Sequence, residues 1–123
     1  MGTSQRNKGA RGERELARLL EDQLGLKVAR NLMQWRDGGP DLIGLPVALE
    51  VKRCEQIRLK DWWGQAVDQA EKASKTPCLA WRQNGKPWAF RVPLSFINSS
   101  FPASMTADVD LLAFCELIRN SLF

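Results

Sequence analysis

Two short apolar runs, residues 41–45 and 47–52, constrain what this chain can fold into more than any other feature. Each has the length of a β-strand, and Pro46 between them favours a tight turn. In a strand, residues two apart point to the same face. Glu50 and Lys52 in the second run are therefore predicted to project together, while their immediate neighbours face the other way.

The first run begins with an aspartate, Asp41, directly after Pro40. If the two strands are neighbours, the carboxylates of Asp41 and Glu50 converge at one end of a sheet, with the amine of Lys52 beside them. Such a carboxylate pair can hold Mg²⁺ and position a water against a phosphate. Each part also has an ordinary explanation, because Gly-Gly-Pro-Asp is common in turns and Glu-x-Lys is common on an edge strand with one wet face.

A helical pattern covers residues 9–24 and carries a third carboxylate, that of Glu13. At about 100° per residue, Glu13 falls between Leu20 and Leu24, on the side predicted to face the sheet. An unpaired carboxylate is costly there, which suggests a functional role. Alternatively, the side chain still reaches water and favours the positive end of the helix dipole.

The remaining patterns predict an α/β protein with a mixed central β-sheet flanked by helices. The length suits one domain, with a mobile basic N-terminus at residues 1–8 and a single folded domain at residues 9–123. The predicted order is α-β-β-β-α-β-β-α, in which residues 31–39 and 99–107 are loops and residues 93–98 a short helical turn. The predicted helices are residues 9–24, 61–74 and 108–121, and the predicted strands are residues 27–30, 41–45, 47–52, 78–82 and 88–92.

The positive charge of the chain is unevenly placed. The net charge is +4, and residues 1–36 hold eight Lys and Arg against four Asp and Glu, while the rest of the chain is balanced. A basic end suits a polyanion such as nucleic acid, although a solubility tail explains the charge equally well. The predicted contacts to DNA at this end are Arg6, Lys8 and Arg11. In the polar loop, Trp35 beside Arg36 either contacts bases and sugar-phosphate or packs against the protein.

The residue types that are missing exclude several kinds of chemistry. The chain has no His and no Tyr, so Ser-His-Asp and Cys-His catalysis and histidine zinc sites are excluded. Its three cysteines are single and form no CxxC pair. No apolar run approaches the length of a membrane span, and the polar start lacks the centre of a secretory signal, so we expect a cytoplasmic protein without a membrane partner. The chemistry that remains uses carboxylates, lysine and a metal.

Four motifs in this order resemble the PD-(D/E)XK nuclease superfamily. They are Glu13 after the run at residues 8–12, Pro40-Asp41, Glu50-Val51-Lys52, and Gln65-Ala66 on the next helix. The opening Lys-Gly-x-x-x-Glu-Arg is similar to that of archaeal-type Holliday junction resolvases and their phage and prophage relatives. The similarity covers residues 8–92. It implies a restriction-endonuclease-like fold, with helices on both faces of the sheet and the site at one end of it.

The resemblance also implies roles for individual residues. Asp41 and Glu50 would bind Mg²⁺, for which Mn²⁺ can substitute, together with the backbone carbonyl of Val51. Glu13 would complete the metal shell or hold a water on the metal. Lys52 would orient the attacking water and stabilise the charge that develops on the phosphate.

Three further expectations come from the same resemblance. Gln65 would support the site from its helix, and Arg30 would contact a phosphate. The family also implies a homodimer. The junction-cutting relatives carry a functional serine in the loop after the first strand, whereas residues 31–40 of this chain contain none, and Asn31 and Gln34 are the nearest polar candidates.

The expected activity is therefore a Mg²⁺-dependent endodeoxyribonuclease that cuts branched DNA, as a Holliday junction resolvase of DNA recombination or repair. One alternative is a flap, single-strand or duplex nuclease of phage replication or repair. Another, of a different class, is a DNA-binding module that keeps the nuclease fold without cutting.

Overall fold

A computed structural model describes the backbone of residues 3–121 and the side chains of residues 9–34 and 36–121. It contains one six-stranded sheet in the order β1-β2-β3-β4-β5-β6. The pair β3–β4 is parallel and the other neighbouring pairs are antiparallel. The elements are α1 (Thr3–Leu24), β1 (Ala29–Arg30), α2 (Gln34–Asp37), β2 (Leu42–Ile43), β3 (Val47–Cys54), α3 (Leu59–Ala73), β4 (Thr76–Gln83), β5 (Ala89–Pro93), α4 (Leu94–Ile97), β6 (Thr106–Asp110) and α5 (Leu111–Ser121). The predicted mixed sheet flanked by helices is confirmed.

The centre of the sheet is the parallel pair β3–β4. All eight residues of β3 pair with β4, from Val47 opposite Thr76 to Cys54 opposite Gln83. Parallel neighbours need a crossover connection, and α3 supplies it. The candidate carboxylate Glu50 therefore lies in the middle of the longest paired stretch of the sheet, where the backbone is held on both sides by β2 and β4.

The two faces of β3 pack against different helices. Val47, Leu49 and Val51 belong to the main core, which is closed by α1 and α5. A smaller apolar cluster on the opposite face includes Trp62 of α3 and Trp81 of β4. Because side chains alternate along a strand, Glu50 and Lys52 project to this second face, as the sequence pattern predicts.

The predicted element order was incomplete at the C-terminal end. Residues 106–110 form an edge strand, β6, and α5 begins at Leu111 instead of near residue 108. β6 pairs with β5 alone and is only partly buried, so its sequence Thr-Ala-Asp-Val-Asp lacks the apolar character of an inner strand. A second correction concerns residues 31–39, predicted as loop, which contain the single helical turn α2.

The N-terminal helix begins earlier than predicted. The backbone of residues 3–8 continues α1, whereas residues 1 and 2 and the side chains of Arg6 and Lys8 lie outside the described residues. The predicted mobility of residues 1–8 stays a prediction. Within residues 3–121, no helix combines the length and the apolar character needed to cross a membrane.

Candidate active site

An open groove of ≈ 1470 Å³ lies between α1, β3 and the start of α3. Four of the predicted catalytic residues line it. Glu13 comes from α1, Asp41 from the loop before β2, and both Glu50 and Lys52 from β3. Three carboxylates and an amine thus line the same groove, although they are spread over forty positions of the chain. The sequence-based prediction that these groups converge is consistent with this geometry.

Asp41 is fixed by hydrogen bonds on both carboxylate oxygens. Its Oδ2 accepts from the backbone N–H of Val51 at 2.7 Å, and its Oδ1 accepts from Nε2 of Gln34 at 2.8 Å. Its own backbone N–H donates to the carbonyl of Leu49 at 3.2 Å. The side chain is only 6% exposed, so these bonds supply the partners that water would otherwise provide. Asp41 is therefore a buried carboxylate with one orientation.

Glu50 is the least satisfied group of the site. It is 7% exposed, and its Oε2 is buried without a hydrogen-bond partner. Its Oε1 lies 3.9 Å from Nζ of Lys52, which is a long ion pair. Burial, and next the negative charge of Asp41, raise the pKa of Glu50 to about 8, while Lys52 acts in the opposite direction. The site holds this carboxyl where Lys52 offsets only part of the cost of its charged form.

Glu13 reaches the cluster from α1 and is paired with Arg30 of β1. Oε2 of Glu13 accepts a hydrogen bond from Nε of Arg30 at 2.9 Å. Burial raises the pKa of Glu13, the hydrogen bond from Arg30 lowers it, and the charge of Asp41 raises it. Arg30 thus lines the groove with a carboxylate of the site as its partner, and its predicted contact with a phosphate stays a prediction.

A second glutamate of α1 anchors the helix that carries Glu13. The carboxylate of Glu15 accepts hydrogen bonds from the guanidinium of Arg82 and, at 3.0 Å, from Nε1 of Trp88. Both partners flank the turn between β4 and β5. These contacts fix α1 against the sheet, so the position of Glu13 depends on the packing of the whole β4–β5 hairpin.

The donor set at the base of the groove fits a hard divalent cation. Carboxylate and carbonyl oxygens are the ligands that Mg²⁺ takes, and a cation would compensate Oε2 of Glu50 and the repulsion between Glu50 and Asp41. Across the described side chains, however, no group of three or more His, Cys, Asp or Glu is placed to share a metal. The set that fits is therefore the pair Asp41 and Glu50, with Glu13 committed to Arg30.

The structure does not bring every predicted residue into the cluster. Gln65 is exposed on α3 and does not line the groove. Arg36 is exposed and ion-paired with Asp37, outside the groove. Arg11 is exposed and does line it. The side chains of Arg6, Lys8 and Trp35 lie outside the described residues, so their predicted DNA contacts stay predictions.

Other amides contact the loop that carries Asp41, while the supporting role predicted for Gln65 stays a prediction. Oε1 of Gln69 accepts from the backbone N–H of Gly39 at 2.9 Å, and Gln34 donates to the carbonyl of the same glycine at 2.9 Å. Asn31 donates to the carbonyl of Pro40 at 3.0 Å. Gln69 lies one turn after Gln65 on α3 and is more buried, as its position further inside the apolar side of the helix indicates.

Comparisons with known proteins concern the family and the fold of the chain. A family model described as "Phage putative PDDEXK endonuclease" matches residues 4–111 of the 123 residues. No curated protein matches the chain. Among solved structures, it is similar to that of Archaeoglobus fulgidus Hjc, a Holliday junction resolvase from an archaeal hyperthermophile, with a TM-score of 0.53 and 21% identity over 92% of this chain and 88% of that one. At this identity the structural likeness shows a shared fold. The family match, which spans most of the chain, shows that the protein belongs to the phage PDDEXK endonuclease family.

Proposed function

We propose that the protein is a Mg²⁺-dependent endodeoxyribonuclease that cuts branched DNA, as a Holliday junction resolvase. The observation that carries the proposal is the pair of buried carboxylates, Asp41 and Glu50, held beside Lys52 at the base of an open groove. Membership of an endonuclease family supports the reaction class. The resemblance to a resolvase of the same fold supports the choice of a DNA junction as substrate.

Asp41, Glu50 and the backbone carbonyl of Val51 would hold the cation. When bound, a divalent cation supplies positive charge that stabilises a phosphoryl group under attack. The ammonium of Lys52, 3.9 Å from Oε1 of Glu50, would orient the attacking water and offset negative charge on the phosphate oxygens. Glu13, fixed by Arg30, would hold a proton or a water at the rim of the cluster.

The overall reaction is hydrolysis of a phosphodiester. Water adds to phosphorus as the bond from phosphorus to the 3′ oxygen breaks, which leaves a 5′-phosphate and a 3′-hydroxyl. In a homodimer, two such sites related by a two-fold axis would cut two strands of a junction symmetrically.

A second candidate is a nuclease that cuts flaps, single strands or duplex DNA in phage replication or repair. The loop before β2 favours it, since residues 31–40 contain no serine. Asn31 and Gln34, the nearest polar candidates, bind the backbone of their own loop and Asp41. They thus serve to order the loop. A module that binds DNA without cutting is disfavoured, because buried carboxylates near a phosphate would repel it.

The test is a comparison of substrates. Wild-type protein and Asp41→Asn are incubated in Mg²⁺ with a synthetic four-way junction, a flap, a linear duplex and a single strand. We expect symmetric nicks in the junction by wild type, with 5′-phosphate ends, and none by Asp41→Asn. Cutting of the flap or single strand with an intact junction would select the second candidate. Cutting of no DNA by wild-type protein would exclude both.

A further inference from the structure

We propose that Arg53 and Asn84 form a binding site for a backbone phosphate of DNA other than the one that is cut. The inference rests on the proposed function, since it assigns the position of the DNA strand in the same groove. Both residues line that groove. Arg53 follows Lys52 on β3 but projects to the opposite face of the strand, so it lies beside the cluster of carboxylates without joining it.

The side chain of Arg53 is held in place along its length. A Cβ added at Gly12 of α1 would lie 3.0 Å from Cβ of Arg53, so the glycine leaves the space that the arginine stem occupies. At its far end, Nη1 of Arg53 donates a hydrogen bond to Oδ1 of Asn84 at 2.6 Å. A half-buried arginine with both ends fixed loses little rotamer freedom when it binds a ligand.

In the described part of the chain, several arginine side chains hydrogen-bond to another side chain, and Arg53 differs from the rest in the charge of its partner. Its partner is a neutral amide, which orders the guanidinium and leaves its charge uncompensated. A planar guanidinium with free N–H groups is suited to bidentate contact with a phosphate. The others each contact a carboxylate: Arg30 with Glu13, Arg36 with Asp37, Arg82 with Glu15, Arg91 with Asp108, and Arg119 with Glu116.

Asn84 is itself fixed by the backbone. It lies in the turn between β4 and β5, and its N–H donates to the carbonyl of Cys54 at 3.2 Å. The next residue, Gly85, has φ +78, a conformation that favours glycine. The Asn-Gly pair thus forms the turn and also presents an amide oxygen to Arg53. Two exposed arginines of the same groove, Arg11 and Arg58, extend the positive surface around this site.

The test measures DNA affinity across a salt series, with a labelled four-way junction and a linear duplex in Ca²⁺, which is expected not to support cutting. The variants are Arg53→Ala, Arg53→Lys, Asn84→Ala and the double variant Arg53→Ala/Asn84→Ala. Arg119→Ala is the matched control, since it removes the same charge from α5, outside the groove. The rate of cutting in Mg²⁺ at saturating protein is measured alongside.

We expect Arg53→Ala to weaken binding about tenfold and to reduce the slope of log affinity against log salt by about 0.9, the value for one lost phosphate contact. Arg53→Lys should keep the slope and recover part of the affinity. Asn84→Ala should weaken binding about threefold with the slope unchanged, and should add nothing in the Arg53→Ala background. At saturating protein the cutting rate should fall much less than the affinity, because the phosphate is not the reacting one.

The inference is wrong if Arg53→Ala binds and responds to salt as Arg119→Ala does while wild type binds and cuts DNA. If Asn84→Ala weakens DNA binding equally in wild type and in the Arg53→Ala background, Asn84 does not act through Arg53. A cutting rate that falls as far as the affinity would place Arg53 at the reacting phosphate and would also overturn the inference. If wild-type protein neither binds nor cuts DNA, the proposed function fails together with this site.

Discussion

Nε2 of Gln34 donates a hydrogen bond to Oδ1 of Asp41 at 2.8 Å, and so the loop before β2 is tied to the carboxylate that it delivers. The same amide group donates to the carbonyl of Gly39 at 2.9 Å. One side chain therefore sets the path of the loop and the orientation of Asp41. Gln34 acts through Asp41, which makes it a positioning residue.

Removal of this amide should affect the chemical step more than binding. We expect Gln34→Ala to lower the rate of cutting at saturating protein about tenfold, since Asp41 loses one of the bonds that orient it. DNA affinity should stay within about threefold of wild type. The measurement is single-turnover cutting together with binding in the same buffer. Equal losses of rate and affinity would assign Gln34 to the DNA contact instead.

The two glutamines of α3 give a matched pair of variants. Gln69 accepts a hydrogen bond from Gly39, whereas Gln65 is exposed outside the groove. We expect Gln69→Ala to lower the cutting rate and to lower the free energy of unfolding by about 1 kcal/mol. Gln65→Ala should change neither quantity. Cutting assays and thermal unfolding of both variants check this. Loss of activity in Gln65→Ala alone would contradict this and support the role that the family resemblance implies for Gln65.

The pKa of Glu50 predicts how stability depends on pH in the absence of divalent cations. The ordinary pKa is 4.5 and the folded value is about 8, so between these pH values the folded protein keeps a proton that the unfolded chain has lost. The free energy of unfolding should therefore fall as pH rises from about 4.5 to about 8, by an amount on the order of a few kcal/mol, and level off above. Glu50→Gln should remove this slope, which unfolding by denaturant at several pH values measures.

Mg²⁺ should counteract the loss of stability that accompanies a rise in pH. A cation binds the ionised carboxylates, so it should raise the melting temperature of wild type more at pH 8 than at pH 5. Glu50→Gln should lose most of this effect, with Glu55→Gln, at the rim of the groove, as the charge-matched control. An equal response of wild type and Glu50→Gln would show that Glu50 does not bind the ion.

The pair Glu13–Arg30 should show the behaviour of a partly buried ion pair. We expect Arg30→Met to destabilise the fold by about 1 to 2 kcal/mol, because Glu13 would lose its partner beside Asp41. The double variant Glu13→Gln/Arg30→Met should regain part of this stability. Denaturant unfolding of the two single variants and the double variant measures the coupling. Additive losses would show that the two side chains act independently.

The sequence predicts the inner part of the fold and site better than the outer part, for physical reasons. Residues 47–51 of β3 are buried on both faces and read as an apolar run, so Glu50 and Lys52 stand out as polar residues on one face of the strand. Edge strand β6 lacks an apolar run, because it pairs on one side only and its side chains are partly or fully exposed. Helical spacing places Glu13 toward the sheet, and its side chain is half-buried against Arg30 of β1.

The residues that order the site are not marked by any periodic pattern in the sequence. Gln34 and Asn31 act by binding their own loop, and such local contacts depend on loop geometry that no periodic pattern describes. The sequence at Asn84 indicates no more than an Asn-Gly turn, since its contact with Arg53 joins positions 31 residues apart. Such a contact becomes visible when the β4–β5 turn is placed beside the end of β3.

The central claim is that Asp41, Glu50 and Lys52 form a site that cuts DNA, and the most direct measurement compares cutting and binding in Glu50→Gln and Lys52→Ala. In Mg²⁺, both variants should cut a four-way junction at least about 100-fold more slowly than wild type. Their affinity for the same junction in Ca²⁺ should remain within about threefold of the wild-type value. Cutting by both variants at the wild-type rate would contradict the account.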